Sequence, residues 1–258
     1  MTNQANQAKL FHSLHITGNP IILFNIWDAG SAKAVAASGA KALATGSAPV
    51  AMAQGFGDGE QMPLELALQN IERIIGSTDL PVTMDLESGY GADTAVVEET
   101  VAAAMSKGIV GFNFEDQIVG TSELHPVDIQ VGRVAAARKA ANSIDTHAFI
   151  NARTDIFLKA KPETHNEAML EDAIERAAAY EQAGANGFFA PGLADEKLIT
   201  LLCNKVNLPV NIIALPHVPP NNVLAEAGVA RISYGPVPYK QIMKSLEAAA
   251  TDALSSLA

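Results

Sequence analysis

The feature that most constrains the fold is a strict alternation along the chain. Eight short apolar runs, at 21–25, 42–45, 82–85, 110–114, 148–151, 187–190, 210–213 and 230–233, alternate with helix-patterned stretches at 31–38, 64–75, 94–107, 128–141, 165–183, 194–205 and 220–227. Strands separated by crossovers of this length pair in parallel and are covered by helices. Several of the helical stretches stop at the same signal: Ser38-Gly39, Lys107-Gly108, Ala183-Gly184 and Ala227-Gly228. Glycine tolerates the left-handed backbone that ends a helix, so these mark similar turns into the next strand. Eight such units with right-handed crossovers close into a (β/α)8 TIM barrel, here one domain over 1–258. A doubly wound open sheet is disfavoured, because no GxGxxG follows the first run. Residues 239–258 supply the eighth helix, and 1–17 a leading helix that plugs the barrel bottom. The longest loops are expected at 46–63 and 117–126.

With 48% hydrophobic but only 5% aromatic residues, the core must be built from Ala, Val, Ile and Leu. The net charge of −11, without a Lys/Arg run, argues against nucleic acid or an anionic membrane as a partner. The same charge means that an anionic ligand needs a local cation, a metal or backbone amides. The single cysteine, Cys203, excludes an internal disulfide and a multi-cysteine zinc site. Residues 1–9 are polar and no apolar run reaches about 18 residues, so a cytoplasmic protein with no membrane span is expected.

In a barrel of this kind, polar residues at the C-terminal ends of strands face a common mouth. Asp85 and Glu87 lie two residues apart and are expected to share a face, with Glu115 joining them from the next strand. Three converging carboxylates call for a divalent ion, and oxygen-only ligands favour Mg2+, with Mn2+ possible. Solvated loop-start acids or helix caps are the alternative reading. Arg153 shares a face with Asn151 and offers a rigid fork for a substrate carboxylate, or else neutralises Glu115 or Asp155. The small residues Gly46, Ser47 and Ala48 can cradle a carboxylate with their amides, or form only a tight turn. His125 and His217 lie on loops expected at the mouth, with ordinary pKa values near neutrality, as candidate proton donor and substrate contact. Trp27 is read as a packing residue beneath the site.

Four segments in order, Gly55-Phe56-Gly57-Asp58-Gly59, the run 80–91 from Leu80-Pro81-Val82 to Ser88-Gly89-Tyr90-Gly91, Gly111-Phe112-Asn113-Phe114-Glu115-Asp116 and Asn151-Ala152-Arg153-Thr154-Asp155, resemble the isocitrate lyase/phosphoenolpyruvate mutase superfamily. The likeness runs from Ile22 to about Tyr234. It implies that Asp85 holds Mg2+ directly or through water, that Glu87 and Glu115 complete its shell, and that Asp58 is the supporting loop acid. It also implies substrate contacts from Gly46, Ser47, Ala48, Arg153 and Asn211, and a homodimer or homotetramer whose subunits exchange their last helix. Three departures narrow the chemistry. The lyases carry a Lys-Lys/Arg-Cys-Gly-His loop where this chain has 117–125 without cysteine, the mutases and phosphonopyruvate hydrolases carry Lys where Gln117 stands, and Glu87 replaces a common Asp.

A metal-chelated 2-oxo acid can store the electron pair of a broken bond as an enolate. Loss of CO2 by this route needs no general acid in the cleavage step, so the missing cysteine is tolerable. The sequence is therefore read as a carbon-carbon lyase acting on a small 2-oxo or dicarboxylic acid, similar to oxaloacetate decarboxylases. Its alternatives are P–C bond chemistry on phosphonopyruvate and a carboxylate-binding protein without catalysis.

Overall fold

Why these residues pair as they do is visible in a computed structural model describing residues 3–145 and 147–255. The strands are β1 (Ile21–Leu23), β2 (Leu43–Ala44), β3 (Val82–Asp85), β4 (Gly111–Glu115), β5 (Phe149–Arg153), β6 (Gly187–Phe189), β7 (Val210–Ile213) and β8 (Arg231–Ser233). All eight are parallel, in the order β1-β8-β7-β6-β5-β4-β3-β2. The ring closes between β1 and β2 just past their ends, where Ile26 bridges Thr45, Ile26 N–H donates to Ala44 O (2.9 Å) and Gly46 N–H to Ile26 O (3.3 Å). This is the TIM barrel that the alternation predicts.

The helices are α1 (Asn3–Ser13), α2 (Ala29–Ala37), α3 (Ser47–Ala53), α4 (Leu64–Ile75), α5 (Thr94–Ser106), α6 (Val127–Ile144), α7 (Glu167–Gln182), α8 (Glu196–Lys205), α9 (Asn221–Glu226) and α10 (Val237–Ser255). Short polar side chains start several of them. Asp28 and Ser31 cap the start of α2 reciprocally, and Asp93, Asn166 and Asp195 accept from the first-turn amides of α5, α7 and α8. One sequence expectation is corrected here. The segment 46–63 is not all loop, because two turns of it form α3, which begins with no side-chain cap. Ser47 N–H is instead satisfied by the carboxylate of Asp85, from a different strand (3.2 Å), which no local pattern announces.

Outward residues of the strands, such as Met84, Phe112, Ile150, Phe188 and Ile232, form one continuous core with the helices. Inside, Phe11 and Ala8 of α1 meet Ile21, Leu23, Ala42, Ala44, Val110 and Phe149, so the leading helix does plug the barrel bottom. Above the plug the lumen turns polar. Asn151 Nδ2 donates to Asn113 Oδ1 (2.9 Å) and Asn211 Oδ1 (3.1 Å), and Arg231, 1% exposed, spans the barrel to donate from Nη2 to Asn113 Oδ1 (3.0 Å). Burial lowers the Arg231 pKa to about 9, against the pull of the Asp85 charge.

The last helix breaks the pattern. Of the described residues of α10 only Pro238 is buried, and the outward side chains of the first run, Ile22 and Phe24, remain exposed at 39% and 40%. An apolar groove of about 740 Å3 lies along this face, lined by Ile22, Phe24, Trp27, Ala34, Val35 and Ile242 among others. Trp27 packs there edge-on against Tyr239 (5.2 Å), away from the barrel mouth. Among the described residues no helix is long and apolar enough to cross a membrane.

Candidate active site

A cavity of about 250 Å3 opens at the C-terminal mouth of the strands. Gly46, Ser47, Ala48, Asp58, Asp85 and Arg153, all sequence candidates, line it together. Gly46 is constrained by space, since a Cβ there would lie 2.9 Å from Pro49 Cγ. Asp85 ends β3 with its amide bonded to Thr45 Oγ1 (3.0 Å), and its Oδ2 accepts from both the amide and the hydroxyl of Ser47 (3.2 and 3.0 Å). Its other oxygen, Oδ1, is buried and meets no donor among the described residues.

Glu115 is 2% exposed and accepts from Arg153 Nη1 (2.6 Å) and from the Gln117 amide. Arg153 also forks onto Asp155, from Nε (2.6 Å) and Nη2 (3.0 Å). Asp155 is fixed by its amide bond to Asp116 Oδ1 (3.0 Å), and Asp116 Oδ2 accepts from Arg176 (3.2 Å) and Tyr180 (2.9 Å). Both readings of Arg153 are thus physically present, as a lining residue and as a structural ion-pair partner.

The electrostatics are those of an acidic cluster with too little cation. Burial, then the neighbouring Asp85, raises the Glu87 pKa to about 7 and pushes Asp58 up. Burial also pushes Glu115 well up, against the pull of Arg153 and with the repulsion of Asp155, Asp85 and Glu87. For Arg153, burial works downward, but Glu115, Asp155 and Asp85 more than reverse it and hold it protonated.

Glu87 does not follow Asp85 into the cavity. The chain leaves the strand at Leu86, Glu87 takes a left-handed φ of 51°, and its Oε2 accepts from Glu60 N–H (2.7 Å). Glu60 in turn accepts from the amide of Tyr90 (2.8 Å). The carboxylate therefore reaches only a small recess of about 20 Å3 that it shares with Asp85. Glu87 and Glu115 are expected to complete a metal shell around Asp85; among the described residues no three Asp, Glu, His or Cys side chains form a group that could hold a metal. A hydrated Mg2+ still fits, since that ion takes one or two carboxylates and keeps its waters. The orphaned Asp85 Oδ1 offers the direct ligand, and Asp58 and Glu87 crowd it with further carboxyl groups whose pKa values are raised, while Glu115 is paired with Arg153.

Three other candidates sit away from the cavity lining. Asn211 is fully buried in the lumen, its amide shared among Ile212 O, Arg231 O and Ser233 Oγ. The loop after β4 folds into a small hairpin, with Ile118 N–H on Glu123 O (2.9 Å), which seats His125 against Asp116 (2.7 Å). The His125 ring is buried there and its pKa lowered by desolvation, then by Arg133. His217 is exposed on the loop after β7, where Leu215, not the histidine, reaches the lining.

Sequence reasoning did not assign Asn25, Asn113 and Ser233, or the apolar lining from Phe189, Ile213 and Leu215. Inward alternation from Asn211 and Arg231 points to Ile213 and Ser233. Asn25 is marked as the polar residue that ends the first run; its Nδ2 donates to Thr45 O (2.9 Å) while its Oδ1 accepts from the amides of Tyr234 and Gly235 (2.8 Å each).

With this geometry in view, the family model described as phosphoenolpyruvate phosphomutase matches residues 11–254. The chain belongs to that family. A Burkholderia cenocepacia J2315 crystal structure provisionally named a phosphonomutase is 50% identical, with a TM-score of 0.94 over 97% of this chain and 99% of that one. The 2-methylisocitrate lyase of Escherichia coli K12 is 26% identical over 79% of this chain and 68% of its own length. Oxaloacetate decarboxylase 2 of Pseudomonas putida W619 is 26% identical over 72% and 60%. Its relatives thus include named lyases and a structure named as a phosphonomutase.

Proposed function

We propose that this family member is a Mg2+-dependent carbon-carbon lyase acting on a small 2-oxo acid of the oxaloacetate type. The observation that carries the reading is the buried, unpartnered Asp85 Oδ1, which meets the cavity amid acids held above their ordinary pKa values. A divalent ion there is held by Asp85, with Asp58, Glu87 and Glu115 supporting it through water. When bound, it polarises the keto group and stabilises negative charge on its oxygen. The chain's own residues do the rest. Arg153, fixed by Asp155 and Glu115, presents its guanidinium edge to the substrate carboxylate, and Ser47 fixes the orientation of Asp85. Among the described residues the cavity lining holds no Lys, His or Cys, which suits a cleavage that expels neutral CO2 and leaves protonation of the carbon to water.

The test is pyruvate release from oxaloacetate with Mg2+, set beside the Asp85→Ala protein and beside free Mg2+. A loss of about 10²-fold or more in the variant is expected. Equal rates overturn the reading. The 50%-identical phosphonomutase-named structure favours a second reading, P–C bond chemistry, and turnover of phosphonopyruvate in place of oxaloacetate would establish it.

The exposed Ile22 and Phe24 and the unpacked α10 support assembly with a second copy whose last helix fills the apolar groove.

A further inference from the structure

The lining of the cavity is divided by chemistry along the barrel order. The ends of β2 and β3 and the loop between them contribute Ser47, Asp58 and Asp85, whereas β5 to β8 and their loops contribute, apart from Arg153 and Ser233, only apolar side chains: Leu158, Phe189, Pro191, Ile213, Leu215 and Pro236. The apolar arc is built into the backbone. Gly235 has a left-handed φ of 51°, and a Cβ there would lie 2.5 Å from Ile213 Cδ1, so the missing side chain leaves room for the isoleucine at the lining. The one arginine on the lining is already forked onto Asp155 and paired with Glu115, and the remaining charges there are Asp58 and Asp85. A second ionised group on a ligand, held at one end by Arg153, would face hydrocarbon with no cation of its own.

We infer that the substrate is a 2-oxo acid with alkyl groups on the carbon next to the keto group, such as a 3,3-dialkyl-oxaloacetate. This deepens the lyase reading and rests on it. The C3–C4 bond breaks, its electron pair passes into the C2 carbonyl, C4 leaves as CO2, and a proton from water adds at C3 to give the branched 2-oxo acid. The alkyl groups pack on the arc, and the departing carboxylate loses charge beside a surface that does not solvate it.

Two measurements separate the inference from the reading. Calorimetric binding of pyruvate, 2-oxobutyrate and 3-methyl-2-oxobutyrate in the presence of Mg2+ should show affinity rising ~10-fold per added methyl, with the rise flattened in Leu215→Asn and in Ile213→Ser. Because Leu215 lies on a half-buried loop, its variant keeps the test open if Ile213→Ser fails to fold. In the wild type, a flat or falling series overturns the inference whatever the turnover. In parallel, 3,3-dimethyl-oxaloacetate should exceed oxaloacetate in kcat/KM. Turnover of oxaloacetate with a flat binding series retains the lyase and removes the apolar specificity. A rising series with neither diacid decarboxylated above the Asp85→Ala background retains the specificity and removes the lyase.

Discussion

Arg153 carries two duties that ordinarily conflict. A guanidinium forked onto one buried acid and paired with another is locked in place, which serves orientation, but it leaves a single edge for a ligand. Arg153→Met should therefore cost more than binding. It strands Glu115 and Asp155 without their cation, and a loss of about 3–5 kcal/mol in unfolding free energy is expected by urea titration. Arg153→Lys should recover part of that stability but little of the 2-oxo acid affinity, because an ammonium cannot reproduce the fork. Arg153 and Asp85 were legible in the sequence because strand-end position and residue chemistry coincide there, whereas Asp58, on the loop after α3, was singled out only by the family resemblance. The role of Glu87 was not, since a single residue of positive φ swings it out of the strand's alternation. Nor was the hydrogen bond that the Gln117 side-chain amide donates to Glu115, which depends on a contact between side chains that strand alternation cannot specify.

At the scale of elements, α1 holds the bottom of the barrel through an aromatic cluster. His15 stacks on Phe149 (4.1 Å between centroids, 19° between planes), meets Phe11 edge-on, and contacts Phe11 O through Nδ1 at 2.8 Å. Burial, then the Arg231 charge, lowers its pKa from 6.5 to about 3. The linkage has a definite sign. Between pH 6.5 and 3 the unfolded chain binds a proton that the native ring refuses, so this contribution to stability is complete above pH 6.5 and is lost as pH falls through that window. The acids at the mouth act oppositely, because their raised pKa values favour the metal-free native state on acidification. Comparing the urea midpoints of wild type and His15→Phe at pH 7.5 and 5.0 isolates the histidine: the wild type should lose more stability between the two pH values than the variant, and parallel losses would refute the assignment. The helices whose caps are local, such as Asp28 with Ser31, were readable in advance. The helix α3 was hidden because its first amide is satisfied by Asp85, 38 residues away.

For the whole molecule, the eight-fold alternation sufficed to give the barrel, its strand order and its plugged bottom, whereas exchange of the last helix is an expectation that rests on the resemblance alone. Its sequence is amphipathic enough to cover a barrel, yet Ile242, Leu246 and Leu254 are 52%, 60% and 78% exposed. These exposed side chains are the ones on which the proposed assembly with a second copy depends. Ile242→Asp combined with Leu246→Asp should convert an oligomer into a monomer in light scattering after size exclusion; an unchanged mass would sink the exchange of α10 between copies. The lumen raises a different point. A barrel floor of Asn113, Asn151, Asn211 and Arg231 is ordered by hydrogen bonds, so apolar replacement of one member leaves the rest unsatisfied.

The closure of the ring is lopsided. Seven strand pairs are joined by ladders, whereas among the described residues β1 and β2 are joined past their ends by the bridge at Ile26 and Thr45 and by the side chain of Asn25. A cylinder with one weak stave opens there first. Because Gly46, at that seam, also borders the cavity, breathing of the barrel and occupancy of its mouth are thermodynamically linked. A bound 2-oxo acid with Mg2+ should slow amide hydrogen exchange at Ile26 and Gly46 more than at the β4–β5 ladder, so the fold's slackest joint becomes a gauge of whether its mouth is filled.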